Sequence, residues 1–400
     1  MKKCRRFLVL ALCVALALQV SLFGCFAENA VLPIREESSP DFIGAAEGSL
    51  ELPCKSAILM EANTGTVLYT QNAEEALPPA SVTKIMTLLL VMEAVDAGTV
   101  HPEDLISVSA NAASMGGSQV YLKEGEVMSV EDLLKSVVIA SANDAAVALA
   151  EYIAGSVSAF VEKMNVRARQ LGMENTVFEN VTGLDDTAER HLTSARDIAL
   201  MSRALIAHKT ILQYSSIWMD TIRNGEFGLT NTNRLVRFYP GCTGLKTGST
   251  SKAGFCVSVT AERDGMSLVC VIMGAESRDV RNAAATQLLD WGFANYGVYS
   301  AQGAELPPIA LQGGSQSSCR IAYQGFSCVL PKNELSGVKI TVNLPQTLSA
   351  PILKDAVLGE VVFSVEGRSI GAREVTALES ISRINFFEIL GRMFKRFLLI

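Results

Sequence analysis

The sequence predicts a mixed α and β protein: an antiparallel sheet flanked by helices, then a small all-β domain, then a C-terminal amphipathic helix. Three observations predict it. Strand-like runs stand at both ends of residues 51–299 with apolar helical runs between them, so distant segments must close one sheet. Residues 300–378 carry only short alternating or β-branched runs punctuated by Gly and Pro. Residues 379–400 return to helical spacing.

The elements follow in order. Lys2, Lys3, Arg5 and Arg6 precede a mostly apolar stretch from Phe7 to Phe23, and Cys25 and Ala27 place small residues around a cut after Ala27. This is the layout of a secretory signal over residues 1–27. An uncleaved anchor is the alternative, because the stretch is nearly long enough to span a bilayer. Leu22-Phe23-Gly24-Cys25 also resembles a lipid-attachment box, with Phe23 a poor fit. Residues 28–50 mix Pro, Glu, Ser and Gly without period and read as a linker.

Ser56 to Met60 and Thr66 to Tyr69 read as strands around the turn Asn63-Thr64-Gly65. Ile85 to Val95 is an apolar helical run. Ser129 to Tyr152 is a second helical region, opened by the capping signal Ser129-Val130-Glu131-Asp132. Asp197 to Ala207 suggests another helix. Gly254 to Ala261 and Met266 to Gly274 are strands joined by the tight-turn signal Arg263-Asp264-Gly265. A helix follows from Arg281 to Tyr296. In the small β domain the runs are Cys319 to Tyr323, Val338 to Leu344 and Gly359 to Val365. At the end, Ile384, Phe387, Leu390, Phe394, Phe397 and Leu398 follow helical spacing, with Arg392, Lys395 and Arg396 opposite. A basic amphipathic helix of this kind lies in a membrane interface; packing on the protein's own core is the alternative.

Composition sets limits on function. The 400 residues are 49% hydrophobic and 19% charged, which suits two globular domains and excludes a disordered chain. Formal net charge is −7, and removal of residues 1–27, which carry four basic and no acidic residues, makes it −11. With no long basic run in the middle of the chain, nucleic-acid binding has little support. The cysteines make no CxxC pair, and His101, His191 and His208 form no ligand pair at helical spacing, so a zinc site is not expected. Cys54, Cys242, Cys256, Cys270, Cys319 and Cys328 remain after cleavage. Export permits disulfides, but Cys256 and Cys270 lie in apolar strands and read as small buried hydrophobes.

Three short motifs carry chemistry: Ser81-Val82-Thr83-Lys84, Ser141-Ala142-Asn143 and Lys246-Thr247-Gly248. Ser81 and Lys84 share one helix face, so the amine can reach the hydroxyl. A serine hydroxyl needs a nearby base, and a lysine serves when burial beside other cations lowers its pKa. Lys246 is the candidate second cation, with Ser81 expected between the two amines. Ser141 can relay a proton to a leaving amine, and the Asn143 amide can hold a substrate backbone. Lys246-Thr247-Gly248 is expected to open an edge strand, with Gly248 allowing close approach, Thr247 bonding a carboxylate and Lys246 supplying charge. The backbone N–H groups of Ser81 and Ser249 are the candidate oxyanion hole. No Gly-x-Ser-x-Gly elbow surrounds Ser81.

With their flanks, Pro79 to Thr87, Ser141 to Ala146 and Gly244 to Ser249 resemble the motifs of low-molecular-mass penicillin-binding proteins of the serine-type D-alanyl-D-alanine carboxypeptidase family. The likeness extends to Gly183-Leu184, His191 to Asp197 and Leu289 to Phe293. It implies a β-lactamase/DD-peptidase-like domain, with a small β domain and basic tail typical of the family. It implies a peptidoglycan stem peptide ending in D-Ala-D-Ala as substrate and no cofactor. D-alanine leaves as Ser81 is acylated, and water then hydrolyses the acyl-enzyme. β-Lactams are the implied inhibitors. The implied location is the outer face of the cytoplasmic membrane, or the wall after secretion. Arg281 falls where the family carries an arginine for the substrate carboxylate; a surface ion pair at a helix start is the alternative. Ser249 departs from the His found there in some members. A β-lactamase shares the motifs, but no Glu-x-x-Leu-Asn occurs between Asn143 and Lys246. A penicillin-sensing or wall-binding protein that does not turn over, and an endopeptidase, use the same site.

Overall fold

The computed structural model describes residues 50–185 and 188–397, apart from the side chains of 392 and 395–397. The expected signal, and the expected linker up to residue 49, lie outside the described residues.

The central sheet is built from β1 (Ser56–Glu61), β2 (Val67–Gln71), β3 (Cys242–Thr250), β4 (Gly254–Arg263) and β5 (Met266–Ala275). Its order is β2-β1-β5-β4-β3, antiparallel throughout, so the first strands are closed by segments some 200 residues later. Successive side chains point to opposite faces, and both faces are covered. Ile58 and Met60 of β1 join Val269, Val271 and Met273 of β5 in one core. Ala57 and Leu59 join Cys270 and Ile272 in the other. This is why the strands read as nearly continuous apolar runs. The turn Arg263-Asp264-Gly265 is met: Arg263 pairs with Met266, and Asp264 and Gly265 have φ of 50° and 76°.

Helices α1 (Lys84–Asp96), α2 (Val130–Ile139), α3 (Asn143–Ala154) and α4 (Ala195–Ala207) contribute to the first core. The hydroxyl of Ser129 caps α2, accepting from the Asp132 N–H at 3.1 Å. The helical region from Ser129 to Tyr152 is two helices with a short break at Ser141, whose φ is 63°. Helix α5 (Arg278–Asn295) covers the other face. It starts three residues before the expected Arg281, because Ser277 caps it by accepting from the Val280 N–H at 3.2 Å. Its last expected residue, Tyr296, instead opens β6 (Tyr296–Ala301).

Strand β6 pairs with β9 (Phe326–Pro331) and runs across residue 300. The other strands after residue 300 are β7 (Ala304–Gln312), β8 (Ser318–Tyr323), β10 (Val338–Asn343), β11 (Thr347–Ser349), β12 (Val357–Val365) and β13 (Arg368–Ala377). They form one sheet in the order β10-β12-β13-β8-β7-β11. Its core centres on Phe326 and Phe363, whose rings stack with centroids 4.2 Å apart. Helix α6 (Phe386–Phe397) follows, with Phe386, Phe387, Ile389, Leu390, Met393 and Phe394 all exposed rather than packed on the core. No single described helix is long and apolar enough to cross a membrane. All six described cysteines are free thiols.

Candidate active site

The site forms where a short 3-10 turn, Ala80–Thr83, feeds α1 against the edge strand β3. Ala80 takes a φ of 48°, unusual for a residue with a Cβ. The turn carries Ser81 into the wall of a groove of about 700 Å³. Lys84, one turn on, donates from Nζ to Ser81 Oγ at 2.8 Å and to the Thr182 carbonyl at 2.9 Å. It is fully buried. Burial, with the nearby Lys246 ammonium, holds its pKa well below the ordinary lysine value, and Asp144 opposes the shift. The carboxylate of Asp144 is itself occupied by the N–H groups of Val120, Leu122 and Ala145.

Ser141 lies on the break between α2 and α3. Lys246 Nζ donates to Ser141 Oγ at 2.8 Å and to the Thr247 carbonyl at 2.9 Å. Burial, then the Arg281 charge, lowers the Lys246 pKa to about 7. Sequence reasoning expected Ser81 between the two amines. The structure gives each amine its own hydroxyl: Lys84 serves Ser81, and Lys246 serves Ser141. Both hydroxyls line the groove. The expected start of the strand at Lys246 is also corrected: β3 begins at Cys242, because pairing with β4 extends to Ala261.

Thr247, Gly248, Ser249 and Arg281 line the same groove, with Ser118, Trp218, Arg234, Phe238, Phe255 and Arg278 among its other walls. Gly248 permits a close approach: a Cβ there would lie 2.7 Å from the Ser81 nitrogen and 2.9 Å from the Pro79 carbonyl. Thr247 Oγ1 donates to Thr232 Oγ1 at 2.8 Å. Arg281 is 3% exposed and its pKa is lowered by burial to about 10. It forms no ion pair among the described residues; its Nη1 reaches the Cys256 carbonyl at 3.4 Å and its other nitrogens reach Asn282 Oδ1. The surface ion pair weighed from sequence is therefore absent.

Asn143 is placed differently from expectation. Its side chain is buried behind the groove, with Nδ2 donating to the Gly116 carbonyl at 2.7 Å. Its Oδ1 is buried without a partner among the described residues. The Nδ2 end of the amide is engaged by the loop that carries Ser118, and the Oδ1 end is left as an open acceptor.

Sequence reasoning missed the clamp behind the nucleophile turn. His191 Nδ1 accepts the Glu179 N–H at 3.0 Å, so Nε2 carries the proton and meets Thr83 Oγ1 at 2.7 Å. Thr83 Oγ1 then donates to the Ala80 carbonyl at 2.8 Å. Burial lowers the His191 pKa to about 4, so the ring is neutral. Gly183, φ 84°, packs so tightly that a Cβ would fall 1.8 Å from the Ala80 oxygen. Gly183 and His191 stood among the family-like flanks, the one signal available for them.

Residues 43–277 match the family model described as D-alanyl-D-alanine carboxypeptidase, and residues 302–383 match penicillin-binding protein 5, C-terminal domain. The chain is 39% identical over 356 residues to D-alanyl-D-alanine carboxypeptidase DacF of Bacillus subtilis, across 87% of this chain and 91% of the relative. It is similar to the solved structure of penicillin binding protein 5 from Haemophilus influenzae, with TM-score 0.74 and 30% identity, across 84% of this chain and 99% of that one. It is also similar to penicillin-binding protein D2 from Listeria monocytogenes in its ampicillin-bound form, with TM-score 0.57 and 32% identity, across 61% of this chain and 99% of that one. The convergence of three motifs on one groove and the extent of these matches agree: the chain belongs to the D-alanyl-D-alanine carboxypeptidase family.

Proposed function

We propose that the protein removes the terminal D-alanine from peptidoglycan stem peptides through an acyl-enzyme on Ser81, and that β-lactams inhibit it by acylating the same hydroxyl. One observation carries this reading: a buried lysine amine stands 2.8 Å from the Ser81 hydroxyl. An amine held neutral there accepts the hydroxyl proton as Oγ attacks the scissile carbonyl. The backbone N–H groups of Ser81 and Ser249 stabilise the oxyanion. Ser141, bonded to Lys246, passes a proton to the departing amine as the C–N bond breaks and takes up the one Lys84 removed from Ser81, so the Lys84 amine is neutral again. Water then attacks the ester as Lys84 takes its proton, and that proton passes to Ser81 Oγ as the ester C–O bond breaks. Thr247, Ser249 and Arg281 receive the terminal carboxylate, and Lys246 adds its charge from behind. Gly248 keeps the strand close to the nucleophile. Asn143 acts by holding the Ser118 loop.

The division of labour follows the folding units. Residues 51–299 carry the chemistry, and residues 300–378 lift it away from the tail. Residues 379–400 lie in a membrane interface after export, since the apolar side chains of α6 stay exposed. A chain lacking residues 380–400 leaves the membrane fraction; retention there contradicts the anchor.

Labelled penicillin tests the nucleophile. It marks the protein covalently, and Ser81→Ala abolishes the mark; a surviving mark refutes the assignment. Release of free D-alanine from a diacetyl-Lys-D-Ala-D-Ala type peptide separates turnover from penicillin sensing. Steady penicillin hydrolysis at a dedicated enzyme's rate favours a β-lactamase instead.

A further inference from the structure

Two segments that wall the groove meet each other away from it. The first is the loop from Gly116 to Glu126, which places Ser118 in the groove. The second is a hairpin in which Met219–Ile222 pairs with Phe227–Thr230. Its base brings Trp218, Thr230 and Asn231 to the groove. Its tip includes Arg223, which does not line the groove.

The loop is held on both edges of its backbone. The Asn143 N–H donates to the Ser118 carbonyl at 2.7 Å, and the Asp144 carboxylate accepts the N–H groups of Val120 at 3.1 Å and Leu122 at 3.0 Å. Asn143 and Asp144 open α3, directly after Ser141. Arg223 takes the carbonyl edge. Its Nη1 donates to the Val120 carbonyl at 3.0 Å and its Nη2 to the Tyr121 carbonyl at 3.4 Å. The same guanidinium grips the Glu126 carboxylate, with Nε 2.6 Å from Oε1 and Nη2 3.3 Å from Oε2. That bond holds the Glu126 carboxyl below its usual pKa. The guanidinium also lies 5.2 Å from the Phe227 ring centroid, and the Phe227 and Tyr121 rings meet edge to face at 6.4 Å.

Tyr121 and Arg223 both take positive φ, 58° and 55°, which is costly for a residue with a Cβ. Such backbone persists where surrounding contacts over-determine it. An exposed ion pair contributes little. Here both side chains are only 20% exposed, and one planar fork reaches a carboxylate and two main-chain carbonyls of a single loop. The single ammonium of a lysine cannot reproduce that reach.

We propose that Arg223 is a positioning residue: it latches the hairpin to the Ser118 loop and so fixes the spacing of two groove walls around the peptide substrate. The inference rests on the reading of this groove as the substrate site. The Lys84–Ser81 pair is supported separately, by the His191–Thr83 clamp. Loss of the latch therefore weakens substrate capture and leaves the chemical step: KM rises and kcat holds.

The test uses the full chain and compares wild type with Arg223→Gln, Arg223→Lys and Glu126→Gln. D-alanine release from the diacetyl-Lys-D-Ala-D-Ala peptide is measured per penicillin-titrated site, so a change in folded fraction cancels. KM rises about tenfold in both Arg223 variants, with kcat within about twofold of wild type. Glu126→Gln keeps the two carbonyl bonds and raises KM less, about threefold. Hydrogen exchange read by mass spectrometry quickens over residues 116–126 in the Arg223 variants and not over residues 266–275. An unchanged KM in Arg223→Gln, or full rescue by lysine, overturns the latch. A lower melting midpoint with KM and local exchange unchanged assigns Arg223 a purely structural role and overturns it equally. If wild type releases no D-alanine, the Ser81 reading fails; the latch then stands if residues 116–126 loosen and falls if they do not.

Discussion

The peptidase unit and the small β unit bury different things. Every buried Ser, Thr, Asn, Asp, Glu, His, Lys or Arg side chain among the described residues lies between Ser56 and Arg281. The core of the β unit, from Ile309 to Ile381, is built of Ile, Leu, Val, Phe, Ala and Cys alone. Burying an amine or a guanidinium is unfavourable unless partners compensate. The peptidase unit accepts that cost at Lys84, Lys246 and Arg281, where lowered pKa values are useful, and surrounds them with donors and acceptors. The β unit has no such demand and folds as an ordinary sheet sandwich with its ion pairs on the surface, as in Arg320 with Glu305. Buried polarity thus marks the part of the chain that reacts.

This contrast can be broken at several points. The largest effect is expected from Lys84→Met, which keeps volume but removes the amine. Penicillin acylation, followed by stopped-time labelling, slows about 10²- to 10⁴-fold, while thermal unfolding stays at or above the wild-type midpoint. Phe363→Ala in the β core does the reverse. It loses about 3–5 kcal/mol of stability in denaturant melts, and the protein that remains folded labels at the wild-type rate. Gly183→Ala links the two quantities, because its Cβ meets the Ala80 oxygen that the Thr83 hydroxyl also holds. It costs more than about 1 kcal/mol and slows labelling as well, read by the same two assays. Arg320→Ala, which removes an exposed ion pair, shifts neither measurement.

Much of this was legible in the sequence where the physics is local. Ser81 and Lys84 meet because one helical turn brings them together. Arg263-Asp264-Gly265 forms its hairpin because Asp264 and Gly265 accept positive φ. The closure of the sheet by Met266–Ala275 followed from strand runs at both ends of the unit. What depended on docking between remote segments was not legible. The choice of Ser141 rather than Ser81 as the partner of Lys246 spans 105 residues. The His191–Thr83 bond spans 108 residues. The burial of Asn143 depends on how the Gly116–Ser118 loop folds over it. The Arg281 environment depended on the start of α5, which the Ser277 cap moved upstream.

The central claim is that burial holds the Lys84 amine beside Ser81 well below its ordinary pKa, so that it serves as the base. The pH profile of the penicillin acylation rate constant tests it most directly. The base must be unprotonated, so the rate rises with pH as Lys84 loses its proton, well below the ordinary lysine value of 10.5. It then declines above about 7 as Lys246 gives up the charge that attracts the inhibitor carboxylate. A rate already substantial well below pH 10.5, falling again as Lys246 titrates, is the predicted result. A rate that is negligible at neutral pH and climbs with a midpoint near 10 would contradict it.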